Sequence, residues 1–200
     1  MEPKGDTMKI KWIVIIALLA ILVIVGGGSC AGKYNMLVTL NENVKTSWSQ
    51  VENVMQRRAD LIPNLVNAVK GYAAHEEEVL TEVTNARAKV GQASTVPDKI
   101  AANSELSSAL SRLLVVAERY PDLKANQNFI SLQDELAGTE NRITVERMRY
   151  NDSVRQYNTY VRIFPNNIIA SILGYSREDI YFKADEGSEK APVVDFGKSE

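Results

Sequence analysis

The sequence predicts an all-α chain in which an N-terminal transmembrane helix leads into an elongated antiparallel four-helix bundle. Three observations carry that reading. Residues 12–32 contain no charge, apolar residues recur at alternating spacings of three and four through most of the remainder, and no stretch shows apolar and polar residues alternating between turn signals as strands do. Across the 200 residues, 45% hydrophobic and 24% charged is the balance of a folded chain. The chain beyond the hydrophobic segment is long enough for one core. The expected divisions are an N-terminal segment 1–9, a transmembrane helix 10–32, a helical bundle 33–182 and a flexible tail 183–200.

The hydrophobic segment begins with the aliphatic run WIVIIALLAILVIV. As a helix rising ~1.5 Å per residue, 12–32 would cover roughly 31 Å, close to the hydrocarbon thickness of a bilayer. Lys9 and Lys11 flank its start, Trp12 stands where an interfacial aromatic would, and only Lys33 follows at once. That bias favours a cytoplasmic N-terminus with the bundle outside. An uncleaved anchor is preferred over two rivals that share the small residues 26–31: a cleaved signal peptide, and lipid attachment at Cys30, where Gly27 stands in place of the usual Leu or Val.

After Lys33 one stripe comprises Leu37, Leu40, Val44, Trp48, Val51 and Met55. A second runs Leu61, Leu65, Val69, Tyr72, Val79, Val83, Ala86 and Val90, ending at Gly91. Between them Asp60 can serve as N-cap and Pro63 suits a first helical turn, so Arg57, Arg58, Asp60 and Pro63 read as a tight hairpin. A third stripe, Leu106 to Tyr120, follows Pro97 and Asp98 and stops at Pro121. The fourth, from about Leu123 to Phe164, carries Leu132, Leu136, Ile143, Tyr150, Val154, Tyr157, Val161 and Phe164 on a heptad-like seam over roughly 60 Å. After Pro165, the stretch IIASIL closed by Gly174 reads as one or two turns with a glycine C-cap, expected to plug one bundle end.

The net charge is -2 without a block of Lys or Arg, which excludes the footprint of a nucleic-acid binder. One cysteine excludes an internal disulfide and a zinc site built on several thiolates. His75 precedes Glu76, Glu77 and Glu78, but a zinc-protease helix needs a second His at the position of Val79. A carboxylate-bridged di-metal bundle needs two Glu-x-x-His pairs, and here Tyr72 stands three residues before the one His. No phosphate loop, nucleophile elbow or Cys/His pair is present. No catalytic, cofactor-binding or metal residue is therefore assigned, and no cofactor is expected. Glu76, Thr139 and Arg147 interrupt the apolar seams; Glu76 and Arg147, with His75, form a candidate polar network across antiparallel helices that would fix register.

The stretch Tyr34 to Arg87, with WSQVE, QRRADLIPNLV, VKGYA-HE and VT-AR in order, resembles the LemA family of bacterial membrane proteins. The later segments ENRI, YN-SV-QYN, FP and GY-----YF are similar to that family's second half. The resemblance implies a membrane-anchored four-helix bundle of bacterial origin and no reaction. Under it, Arg57, Arg58, Asp60 and Pro63 suit a hairpin tip, whereas Tyr34, Asn35, Tyr150, Asn151, Tyr157 and Asn158 suit buried hydrogen bonding between helices.

The function expected is a non-enzymatic scaffold or adaptor of the bacterial inner membrane, presenting a rigid rod to other proteins. Its partners would be the bilayer, through 10–32, and unidentified envelope proteins; self-association is left open. The alternatives are a bundle with a metal-carboxylate enzymatic site using His75, Glu76 and Glu140, and a lipidated or secreted binding module.

Overall fold

The computed structural model describes residues 4–183, with the side chains of 4–11, 20–27 and 29 outside that description. The tail expected at 183–200 thus lies almost wholly outside the described residues. The chain is all-α: α1 Lys4–Lys70, α2 Glu77–Gln92, α3 Val96–Ala117, α4 Pro121–Lys124, α5 Gln127–Arg162 and α6 Asn166–Ile172. Among the described residues there is no strand.

The hairpin expected at Arg57–Pro63 is not where the chain turns. α1 continues through Pro63, and the reversal comes at 71–76. An interior proline costs a helix ~3 kcal/mol in isolation, but the buried stripe stays in phase across it. Met55, Ala59, Ile62, Leu65 and Val69 are all buried, so Ala59 and Ile62 join the two stripes into one. Breaking the helix would expose that face. The turn itself carries a charge signature: Lys70 in the last turn of α1 and Glu77 and Glu78 in the first turn of α2, each opposite in sign to the helix-end dipole it meets.

α3 starts on Thr95, whose hydroxyl accepts from the Asp98 amide at 3.3 Å, with Pro97 in the first turn. α5 starts at Gln127 rather than near Leu123, because Asn126 Oδ1 accepts from the amides of Asn128 and Phe129 at 2.9 and 3.1 Å. α6 closes as expected. Gly174 has φ of 75°, and Tyr175 and Gly174 donate to the carbonyls of Ala170 and Ser171, satisfying the last turn.

The chain groups into two compact units. The first joins residues up to Glu52 with Asp152–Asp179. Its buried apolar residues include Leu37, Leu40, Val44 and Val51 of α1, Val154, Tyr157 and Val161 of α5, and Ala170 of α6. The second joins Asn53–Asn151 with the described residues that follow Asp179, 180–183. Its core draws on α1, α2, α3, α4 and α5, with Leu65, Val83, Leu106, Leu113, Leu123 and Phe129 sealed from water. The α5 seam is buried from Leu136 to Val161, but Phe164, expected on it, is 75% exposed, because α5 ends at Arg162 and Phe164 stands in the turn beyond it.

Candidate functional site

The most developed polar centre lies in the second unit around Arg58. Arg58 follows Val51 by seven residues and precedes Ile62 by four, on the inward stripe of α1, so its guanidinium is carried into the core; the residue is 5% exposed. Nη1 donates to Ser107 Oγ of α3 at 2.8 Å and stands 2.6 Å from Glu140 Oε2 of α5. The contact with Glu140 is an ion pair without hydrogen-bond alignment, and Arg58 Nε and Asn103 Oδ1 nearby also lack a hydrogen-bond partner. Burial pushes the guanidinium pKa down from its usual value, against the opposing pull of Glu140. A cleft of about 190 Å³, walled by Leu110, Leu114 and Leu136, opens beside the pair. Arg58 is a fixed cation and Ser107 donates onward to the Asn103 carbonyl at 3.1 Å. The cluster is a polar clasp tying α1, α3 and α5.

Pro63 brings a second polar device. With no N–H, it leaves the Ala59 carbonyl one turn earlier without its helical donor. Arg87 Nε of α2 donates to that carbonyl at 3.0 Å, so a side chain from the neighbouring helix replaces the missing amide. Arg57 and Asp60, by contrast, face water; Asp60 accepts from Gln56 Nε2 at 2.8 Å.

The expected network of His75, Glu76 and Arg147 does not form. His75 is exposed in the 71–76 turn. Glu76 Oε1 accepts from Arg119 Nη2 and Tyr120 Oη, both at 2.9 Å, pinning the turn to the end of α3 and pushing the Tyr120 pKa up. Arg147 donates to the Lys183 carbonyl at 3.0 Å and stands over the Phe182 ring at 4.7 Å. The seam spacing is present, but a 71–76 turn places Glu76 beyond α1 rather than within a helix facing α5. Glu140, offered with His75 and Glu76 as a metal site, is engaged by Arg58 instead, and among the described residues no three His, Cys, Asp or Glu side chains gather to hold a metal.

The Tyr-Asn pairs bind an extended segment, not other helices. In the first unit Asn158 Nδ2 donates to the Glu178 carbonyl at 2.7 Å while its Oδ1 accepts the Glu178 amide at 2.9 Å, and Tyr157 Oη donates to the Ser176 carbonyl at 2.8 Å. In the second unit Asn151 pairs the same way with both backbone groups of Phe182, at 2.9 and 3.0 Å, and Tyr150 Oη donates to the Ile180 carbonyl. A carboxamide carries a donor and an acceptor side by side, so it can stand in for a neighbouring strand's peptide group. Tyr34 and Asn35 take no part; both are exposed.

The LemA family model matches residues 47–196, three of every four positions. The chain belongs to the LemA family. The match takes in the clasp residues Arg58, Ser107 and Glu140, the Pro63–Arg87 exchange and both Tyr-Asn pairs. Magnetosome protein MamQ 2 of Paramagnetospirillum magneticum is 24% identical, the alignment covering 96% of this chain and 76% of that protein. Magnetosome protein MamQ of Magnetospirillum gryphiswaldense is 23% identical over 81% of this chain and 68% of its own length. Protein LemA of Metamycoplasma hominis is 25% identical over 84% and 75%. In this LemA-family chain Cys30 is free and exposed on α1.

Proposed function

We propose that this chain is a membrane-anchored scaffold or adaptor of the bacterial envelope without enzymatic activity. In this reading α1, α2, α3 and α5 form a four-helix bundle and the 10–32 stretch of α1 is a single-pass anchor. Among the described residues no helix is long and apolar enough to cross a membrane, and of the 10–32 stretch the side chains of 10, 11, 20–27 and 29 lie outside that description. One observation carries the proposal: α1 is unbroken from Lys4 to Lys70, so the uncharged run and the packed half of α1 are a single helix. From Trp12 to Leu19 its large apolar side chains are exposed, a surface that gains when lipid replaces water. The scaffold role is supported by the polar clusters, where Arg58, Arg87 and Glu76 are each engaged in holding secondary elements together.

Fractionation at alkaline pH tests the anchor: the chain is expected to stay in the membrane pellet, and release by carbonate would overturn it. Crosslinking in intact membranes followed by partner identification tests the scaffold. Recovery of a defined envelope protein is expected; no specific partner would count against it. A mature N-terminus at Cys30 or Ala31 by mass spectrometry would exclude an uncleaved anchor.

A further inference from the structure

α6 is amphipathic the wrong way round for a helix in water. Its buried residues are Asn166 and Ala170, one turn apart, while Ile168 and Ile172, also one turn apart, face outward. With Ile163, Phe164 and Leu173 they make five large apolar side chains exposed within eleven residues, Phe164 at 75% and Ile172 at 78%. Exposed apolar side chains this dense along the chain mark an interaction surface rather than ordinary scatter.

Its place in the first unit says what covers it. Asn166 Oδ1 accepts from Lys33 Nζ at 2.7 Å, and Tyr160 Oη, near the end of α5, donates to the Lys33 carbonyl at 3.2 Å. Ile169, Ile172 and Leu173 border an apolar cleft of about 380 Å³ whose other wall is Cys30, Ala31 and Tyr34. α5 therefore ends, and α6 turns aside, at the level on α1 where the uncharged run gives way to Lys33. From Ile163 to Ser176 there is no charged residue, and Arg162 and Arg177 bracket the stretch, Arg177 being paired with Asp179.

We infer that α6 and the turn before it form an interfacial foot that lies in the headgroup region of the same bilayer leaflet from which α1 emerges, with Phe164, Ile168, Ile172 and Leu173 in the acyl boundary. The inference rests on the anchored reading proposed above. Short amphipathic elements bind this way when an apolar face is offered beside cationic flanks. The exposed Asn167 and Ser171 remain hydrated at that depth.

The test uses the full-length chain carrying Cys30→Ser and one introduced cysteine, Leu18→Cys, Ile172→Cys or Lys45→Cys, each labelled with an environment-sensitive fluorophore. The proteins are reconstituted into phosphatidylcholine–phosphatidylglycerol vesicles, with and without lipids brominated near the glycerol end of the acyl chain. The Ile172 label is expected to be blue-shifted and quenched by brominated lipid at every protein density, while the Lys45 label responds only to aqueous iodide. Quenching at Leu18 with an iodide-accessible label at Ile172 overturns the foot and leaves the anchor standing. No lipid quenching at Leu18 overturns the anchor as well. Burial at Ile172 that vanishes when vesicles hold one chain each would assign the patch to a second copy and overturn the inference.

Discussion

Arg87 and Pro63 illustrate how one residue's defect becomes another's partner. Removing Arg87 strands the Ala59 carbonyl in a buried stretch, and an unpaired buried polar group costs about 1–3 kcal/mol. Arg87→Ala is expected to destabilise the second unit by roughly that amount in chemical unfolding followed by circular dichroism. In a Pro63→Ala background the restored amide can reach the same carbonyl, so the Arg87→Ala penalty should shrink; a penalty of equal size in both backgrounds would refute the exchange. The clasp predicts an asymmetry. Glu140 is partly exposed and can be hydrated alone, whereas Arg58 is sealed in. Glu140→Ala should therefore cost about 3 kcal/mol by leaving a buried charge unpaired, while Arg58→Met, which fills the same space with apolar atoms, should cost less than about 1 kcal/mol. Equal losses would contradict that account.

The extended segment after α6 is held by side chains instead of a strand ladder, so its attachment can be dissected. Asn158→Ala is expected to lift hydrogen-exchange protection at the Glu178 amide, and Asn151→Ala at the Phe182 amide, each without melting α5. Protection unchanged in both would show that packing alone holds the segment. Tyr157 adds a pH dependence. Burial pushes its phenol pKa up, with smaller contributions from Tyr175 and Glu178. The folded state therefore binds the proton more tightly than the unfolded state, and the stability this confers is present below the ordinary phenol pKa near 10 and lost as pH rises through the higher folded value. Ionisation also ends donation to the Ser176 carbonyl. The thermal stability of the wild type should fall more steeply above pH ~10 than that of Tyr157→Phe; parallel curves would remove Tyr157 from the explanation.

For the whole chain, the two compact units set what can be separated. Among the described residues the second unit begins at Asn53, and its buried apolar stripe on α1 starts with Met55 and Ala59, well beyond residues 10–25. Deleting residues 10–25 is expected to release the chain from membranes while leaving the unfolding transition of the second unit unchanged, read by circular dichroism and by exchange protection at Val83 and Leu113. Loss of that transition would mean that the N-terminal part of α1 contributes to its stability.

Much of this all-helical LemA-family fold was legible in the chain because it depends on neighbours three and four residues apart. The α5 seam, the third helix and the Gly174 cap could all be read, since helical rhythm and a left-handed glycine are local properties. The position of the first turn could not. Pro63 argued for a break, the core overruled it through Ala59 and Ile62, and the quieter Lys70–Glu77 charge pattern marked the true reversal. From the sequence Arg58 reads as part of a hairpin tip, whereas in the fold it meets Glu140 and Ser107, far away in sequence. Burial and partnership are set by which helices pack together, so the polar centre and the outward face of α6 emerged only from the folded arrangement.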